Sequence, residues 1–339
     1  MKARRVGTLS AGARILLILF PVAAALTALV IGRITVPPRE VWHAVANLFG
    51  GKYDVPLQTE KVLWTFRAPR ILLALLVGAG LSAAGCAFQS LFSNPLATPD
   101  TLGVASGSSF GAALAILLGM GMLGVQLTAM AFGAAAVGLT FITGSGRGRG
   151  PSSIVLAGIM IGSLFTALVS LVKYTADAES KLPEITYFLM GSLNGRGYDT
   201  LALGAPLILI GIAVLYLLRW RMNLLPLPDD EARASGTNMT ALRAATVICA
   251  TAVTAACVSM CGQVGWIGLL VPHACRMKFG SNHLSLIPAS ICVGAGFMVL
   301  VDTVARSASA AEIPVSILTA IIGAPFFIVL MRKTGGWRL

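Results

Sequence analysis

Hydrophobic residues along the chain fall into long continuous runs, separated by short segments rich in glycine, proline and charged residues. Continuous runs favour helices, whereas a membrane β-barrel alternates apolar and polar residues. A helix needs about 20 mostly apolar residues to cross about 30 Å of hydrocarbon. The pattern therefore predicts an all-α, polytopic membrane protein of about ten transmembrane helices, in a single transmembrane domain over residues 1–339. The predicted spans are 15–34, 70–91, 103–122, 124–143, 152–174, 200–219, 242–262, 265–277, 285–304 and 314–331.

Two of these spans need interpretation. The first follows a basic segment that resembles the start of a signal peptide, but its uncharged run, Ile15–Gly32, is long for a signal-peptide core. We expect it to be a retained first span. The eighth span follows the segment Gly262–Gly265 and is too short to cross upright. We expect it to begin below the membrane surface, as broken helices do where other protein covers them.

Composition excludes a soluble enzyme, a disordered chain and a disulfide-rich secreted domain. The chain is 56% hydrophobic and 11% charged, whereas soluble domains are about 25% charged. Its six cysteines lie in or beside apolar runs without CxxC spacing, so they predict no disulfide framework. Cys257 and Cys261 share a helix face and are a possible metal pair, but we interpret them as small packing residues. Gly103, Gly107 and Gly111 form a similar packing face.

The distribution of positive charge predicts the orientation. With the N-terminus inside, most Lys and Arg residues of the loops fall on the cytoplasmic side. An even number of spans then returns the C-terminus to the same side. The net charge of +12 matches anionic lipid at the cytoplasmic face and gives no argument for nucleic acid.

The spans lack the residues that membrane catalysis and ion coupling need. No predicted span has an ionisable residue near its centre, where gradient-driven transporters usually carry one. The sequence also lacks a G-x-x-x-x-G-K-[ST] phosphate loop and the ligand sets of haem or iron–sulfur centres. We therefore predict no catalytic residue and no metal site. A transporter of this kind needs a partner to supply energy, and an ion-coupled secondary transporter and a membrane enzyme are the weaker alternatives.

The longest predicted cytoplasmic loop, about residues 221–241, contains a charged segment. Asp229 can cap a short helix that runs through Arg233, and Gly236 can end it. Such a helix outside the bilayer is a suitable contact for a soluble motor. A plain solvated connection is the other interpretation.

A series of motifs extends along the chain from about residue 10 to 335. They include Phe66-Arg-Ala-Pro-Arg-Ile71, Asn94-Pro-Leu-Ala-Thr-Pro-Asp-Thr-Leu-Gly103, Asp230-Glu-Ala-Arg-Ala-Ser-Gly236, Gly265-Trp-Ile-Gly-Leu-Leu-Val-Pro-His273 and Asp302-Thr-Val-Ala-Arg306. In this order and spacing the chain resembles the FecCD-type permease subunits of ATP-binding-cassette (ABC) importers for ferric siderophores, haem and vitamin B12. The resemblance implies a type II importer permease built from inverted halves.

The resemblance also implies partners. Such a permease works with a second permease subunit, identical or a close paralogue, in the bacterial cytoplasmic membrane. Two ATPase subunits bind ATP and Mg, and an extracytoplasmic substrate-binding protein delivers the cargo, so this chain needs no cofactor of its own. Ferric siderophore is the expected cargo, and haem, cobalamin or an oxyanion such as molybdate are alternatives.

Individual residues match functional positions of the family. Arg67 and Arg306 match outer arginines that receive glutamates of the binding protein, although interfacial anchoring is the simpler role of such residues. The residues that match the ATPase-coupling helices are Asp230, Glu231, Arg233 and Gly236. Asn94 and Leu96 match one cytoplasmic gate, and the turn that contains Pro151 and Ser152 occupies the place of another.

At two places the role of a residue cannot be taken directly from the family. The glycine-rich turn 144–151 has no side chains at Gly150 and Pro151 that match the family's gate, so the turn corresponds to the gate by position only. His273 lies near the predicted cytoplasmic end of the eighth span without a second histidine close by in sequence. We expect a structural role for it rather than metal binding.

Overall fold

The computed structural model describes residues 7, 9–146, 151–309 and 311–333, and these residues contain no β-strand. The α-helices are α1 (Ala11–Val30), α2 (Pro38–Leu48), α3 (Leu57–Glu60), α4 (Ala68–Leu91), α5 (Val104–Leu117), α6 (Met122–Gly144), α7 (Pro151–Thr175), α8 (Lys181–Leu189), α9 (Tyr198–Leu218), α10 (Asp229–Ala234), α11 (Met239–Cys261), α12 (Ile267–Phe279), α13 (His283–Ala308) and α14 (Val315–Lys333). A π-helical turn, Lys61–Arg67, joins α3 to α4. The all-α prediction is confirmed.

Seven helices in the described part are long and apolar enough to cross a membrane. They are α1, the continuous stretch Leu57–Leu91, α6, α7, α9, α11 and α13. The helices α5 and α14 are shorter and apolar, and α12 has 13 residues, which give a length of about 20 Å. Each of the ten predicted spans overlaps one of these ten helical segments.

Some helix ends differ from the predicted spans. The third span was expected to reach residue 122, but α5 ends at Leu117. Gly119 there has a left-handed backbone, with φ of 69°, and the amide of Met120 turns back to the carbonyl of Ala115. The helices α2 and α8 lie outside the predicted spans. Pro38 opens α2, where its fixed φ suits the first turn of a helix.

Three helices lie at the centre of the protein: α11, α13 and the stretch Leu57–Leu91, which contains α4. In their most apolar windows, 83%, 72% and 61% of the residues are buried, against 17% for α1 and α7. The central helices therefore form the core. The helices α1 and α7 lie at the periphery with most of their apolar surface uncovered.

Small residues set the distance between α4 and α13. A methyl group at Gly78 would overlap the carbonyl oxygen of Gly294, and one at Gly294 would overlap the hydroxyl of Ser82. Glycine at both positions allows the backbones to touch, as in closely packed membrane helices. The predicted face on α5 packs in the same way, because a methyl at Gly107 would lie 2.6 Å from the carbonyl oxygen of Phe132.

The helix lengths repeat along the chain. A long central helix, a short helix and two further helices occur in the order α4, α5, α6, α7 and again in the order α11, α12, α13, α14. This repetition supports the inverted halves that the resemblance implies.

Candidate functional site

Two arginines that are distant in sequence hold the carboxyl end of α1. The last four carbonyl groups of a helix have no partner within it, and the membrane core offers no water to replace one. The Arg306 guanidinium donates to the carbonyl of Ala28, and the Arg67 guanidinium donates to those of Leu29 and Val30. Positive charge at this end also complements the helix dipole. Both arginines therefore stabilise the attachment of α1.

Arg67 and Arg306 lie deeper than the docking interpretation expects. They are 4% and 5% exposed, although the sequence placed them at open span mouths. The π-helical turn ends at Arg67, and Pro69 follows it. Pro69 has no N–H to donate to the carbonyl of Thr65, so an ordinary α-helical bond is missing where the turn widens. A docking role for both arginines stays a prediction.

A buried ion cluster that the sequence reasoning missed lies beside them. The Nε atom of Arg70 is 3.0 Å from each carboxylate oxygen of Asp302, and its Nη2 atom is 2.9 Å from Oδ1. The same guanidinium donates to Glu312 Oε1 at 3.1 Å. Arg70 and Asp302 are 9% and 2% exposed. The fork geometry is that of a strong bidentate pair.

One polar atom of this cluster has unused hydrogen-bonding capacity. Within the described part of the chain, Arg306 Nε is buried without a hydrogen-bond partner, whereas both carboxylate oxygens of Glu312 lie within 3.1 Å of the Arg70 guanidinium. Glu312 also has φ of 54°, which is uncommon for a residue other than glycine. Strained residues and unsatisfied polar atoms concentrate at functional sites. The cluster is therefore a candidate contact site and more than a structural ion pair.

These residues line a cleft of about 430 Å³. The charged side chains that line it are those of Arg33, Arg67, Arg70, Arg196, Arg306 and Glu312. Arg33 is exposed and Arg196 is half-buried, with its guanidinium 5.4 Å from the centre of the Phe188 ring. Burial lowers the pKa of the Arg196 guanidinium. We call this region the arginine cleft, and its excess of arginine suits carboxylate ligands.

The predicted helix in the long loop is present as α10. Ala232 is fully buried in the main core, whereas Asp230 and Glu231 are exposed. Gly236 has φ of 72° and follows the helix. The side chain of Arg233 lies outside the described residues. One face of α10 is thus fixed to the protein while two carboxylates project from it, and we call α10 the lever.

The turn Arg221–Leu224 precedes α10 in the same loop, and we call it the base of the lever. It is bonded to two central helices. Ser90, near the end of α4, donates its hydroxyl to the carbonyl of Met222 at 2.9 Å. The Asn223 side-chain oxygen accepts from the backbone amide of His283 at 2.9 Å and lies 3.0 Å from His283 Nδ1, at the start of α13. The Asn223 amide nitrogen donates to Asn282 at 3.3 Å. Sequence reasoning missed Asn223, because nothing in the local pattern marks it.

The first gate segment is a turn between α4 and α5. The side-chain oxygen of Asn94 accepts from the backbone amide of Leu96 at 2.9 Å, and Ser93 has φ of 48°. Leu96 is 48% exposed. The turn therefore projects an apolar side chain from a fixed backbone.

The second predicted gate segment lies at the start of α7. Pro151 opens α7 and Ser152 is exposed, while residues 147–150 and the Pro151 side chain lie outside the described part. A methyl group at Gly158 of α7 would overlap the carbonyl of Thr101, which follows the first gate turn. The two predicted gate segments therefore belong to elements in direct contact.

His273 and the cysteines have structural surroundings. The His273 ring is buried and its centre lies 5.4 Å from that of Phe327. Cys257 and Cys261 are buried and free, and the Cys261 thiol donates to the carbonyl of Cys257 at 3.1 Å. The described residues contain no group of three or more His, Cys, Asp or Glu side chains arranged for a metal.

Comparisons with known proteins agree with this architecture. The model of the FecCD transport family matches residues 16–333. The molybdate import system permease protein MolB of Haemophilus influenzae is 44% identical, with 82% of each chain covered. A probable iron chelatin transport system permease of Helicobacter pylori is 36% identical over 81% of this chain and 83% of that one.

A solved structure agrees as well. A transporter assigned to the metal-chelate type of ABC transporters, in an inward-facing conformation, has a TM-score of 0.86 and 39% identity, with 96% of this chain and 100% of that chain covered. The family match spans nearly the whole chain, and the helices α4 and α11, the motifs and the short helix α12 all fall within it. The chain therefore belongs to the FecCD transport family and is a permease of an ABC importer.

Proposed function

We propose that this chain and a second permease subunit form the translocation pathway of a bacterial importer for a metal chelate or a metal oxyanion. ATP hydrolysis takes place on two partner ATPase subunits, and an extracytoplasmic binding protein delivers the cargo. The chain itself makes and breaks no covalent bond.

The strongest support for this proposal is that both candidate sites involve the same two helices, α4 and α13. Arg70 and Asp302 meet at one end of this helix pair, and Ser90 and Asn282 contact the base of the lever at the other end. Twenty residues separate the two sites along each helix, or about 30 Å, which is the thickness of the hydrocarbon core. A rigid helix pair thus connects a candidate binding-protein site to a candidate ATPase site.

The uncovered faces of α7 and α14 support a second subunit. Ile159 and Met160 on α7 are 57% and 65% exposed, and Ile321 on α14 is 62% exposed. Ser163, Thr166 and Ser170 form an exposed row of hydroxyl groups on α7. A pathway between two copies, or between this chain and a paralogue, would combine such apolar contact with a polar lining.

We propose that the arginine cleft receives carboxylates of the binding protein, with Arg67 and Arg306 at its base. Replacing Arg67 or Arg306 by glutamine is expected to slow association by up to about fivefold at low salt, because it removes a positive charge that steers carboxylates toward the cleft. Glutamine keeps an amide donor for the α1 carbonyls, whereas glutamate would repel them. Surface-plasmon association rates over a range of ionic strength measure the effect.

The matched control is Arg39→Gln, because Arg39 is exposed on α2 and does not line the cleft. It should leave the association rate unchanged. If Arg67→Gln and Arg306→Gln lower the melting temperature but not the association rate, both arginines serve only to attach α1.

We propose that both termini and the lever are cytoplasmic and that the arginine cleft is extracytoplasmic. Asp230 and Glu184 are exposed on the two sides, so single cysteines there should react with an impermeant maleimide from opposite faces of oriented vesicles. A Cys-free background removes the six native thiols. Labelling of both positions from one side would refute this orientation.

The cargo is the finer part of the proposal. The family resemblance supports ferric siderophore as the cargo, and the 44% identity to a molybdate permease supports an oxyanion as the alternative. Vesicles that contain this chain, its ATPase subunits and internal ATP should accumulate either radiolabelled ferric siderophore or radiolabelled molybdate when the partner binding protein is added. We expect no uptake without ATP. Uptake driven by a proton gradient in the absence of the ATPase would identify a secondary transporter instead.

A further inference from the structure

An apolar groove runs along the surface between α1, α9 and α13. Its volume is about 780 Å³, and none of its lining residues belongs to the arginine cleft or the lever. Leu17 forms part of a buried floor at 6% exposure, whereas Ile18 and Leu209 are 60% and 55% exposed. All three helices are long and apolar enough to span the membrane. The groove therefore opens toward lipid.

Two arginines stand at one end of this groove. Arg14 lies in the first turns of α1 and is exposed, and Arg219 directly follows α9. The Arg219 guanidinium lies 3.9 Å from the centre of the Tyr216 ring and donates to the Tyr216 carbonyl at 2.5 Å. No acidic residue of the described part lines the groove. Its mouth is therefore basic while its interior is apolar.

The length of the groove fits one leaflet. Ten residues of α9 separate Arg219 from Leu209, which corresponds to about 15 Å at 1.5 Å per residue. Half of the hydrocarbon core is also about 15 Å. An acyl chain that follows the groove from the arginines would thus reach the middle of the membrane.

We infer that this groove binds an anionic phospholipid, with the phosphate between Arg14 and Arg219 and one acyl chain between α1, α9 and α13. Basic pockets between membrane helices bind anionic headgroups in this way. A soluble anion would use the arginines but leave the apolar walls without a ligand. The inference rests on the spanning placement of the three helices, and it is independent of the cargo and of the partner subunits.

Native mass spectrometry of the full-length chain in detergent, titrated with phosphatidylglycerol and with phosphatidylcholine, tests this inference. We expect a tighter site for phosphatidylglycerol. Arg14→Gln with Arg219→Gln should weaken that site about thirtyfold, because each arginine near an anionic surface contributes about 1 kcal/mol. Ala213→Trp, at an exposed position in the groove wall, should weaken binding of both lipids by filling the path of the acyl chain.

Arg221→Gln is the matched control, since Arg221 is exposed two residues beyond Arg219 and does not line the groove. It should bind phosphatidylglycerol like the unaltered chain. Equal affinity for the two lipids, an unchanged affinity in the double variant, or an equal loss in Arg221→Gln would overturn the inference. Displacement of the lipid by glycerophosphate, which has no acyl chain, would overturn it in favour of a simple phosphate site.

Discussion

Replacing Arg70 by methionine is expected to destabilise the protein by about 3–5 kcal/mol, because Asp302 would remain as a buried carboxylate without its partner. Asp302 is 2% exposed and accepts three of the hydrogen bonds that Arg70 donates. The double variant Arg70→Met with Asp302→Leu removes the buried pair and should recover part of the loss, since Glu312 still lacks its partner. Thermal unfolding of the purified chain in detergent measures all three proteins.

Arg33→Met is the control for this series. Arg33 lines the same cleft but is exposed, so its replacement should change stability by no more than about 0.5 kcal/mol. A double variant as unstable as Arg70→Met alone would show that packing, and not the uncompensated charge, dominates at this site.

Reversing both exposed carboxylates of the lever, Asp230→Lys with Glu231→Lys, is expected to reduce ATP-dependent uptake by about tenfold or more. Placing like charges opposite each other at an interface costs several kcal/mol, and a tenfold change corresponds to about 1.4 kcal/mol. The fold should be unaffected, since both side chains are exposed. Uptake is measured in vesicles, and retention of the ATPase subunits is measured on the affinity-purified complex of the same variant.

Two further variants distinguish binding of the ATPase to α10 from the coupling of ATP hydrolysis to uptake. Lys278→Glu reverses an exposed charge in the last turn of α12, at the same proposed face but outside the lever, and should transport normally. Asn223→Leu removes the bonds from the lever base to His283 and Asn282, so it should retain the ATPase but hydrolyse ATP with less uptake per ATP. Normal uptake in both the double variant and Asn223→Leu would mean that α10 is not the coupling element.

The sequence predicted the helices well because an apolar run long enough to span a bilayer leaves few other structures open to it. The helix α10 was also predictable, since Asp229 and Gly236 are local signals that act within one or two turns. The end of α5 was less predictable, because Gly119 stops an apolar stretch that could otherwise continue as a helix.

The candidate site was predictable only in part. Arg70, Asp302 and Glu312 each belong to a recognisable motif, but their contact joins residues 232 and 242 positions apart. Arg67 and Arg306 were assigned to an open surface because both lie near predicted span ends. How deep such a residue lies depends on what covers it, and here α1 covers both. Local sequence patterns do not show that α1 packs over these two residues.

The attachment of α1 has a consequence for how the protein is made. The carbonyl of Ala28 receives its donor from Arg306, which is added to the growing chain 278 residues later. At a synthesis rate of about 5–20 residues per second, that delay is about 15–55 s. The helix α1 thus leaves the ribosome long before it reaches its final contacts. During biogenesis its carboxyl end depends on the insertion machinery, or on surrounding lipid headgroups and water, to satisfy the carbonyls that two later arginines will finally occupy.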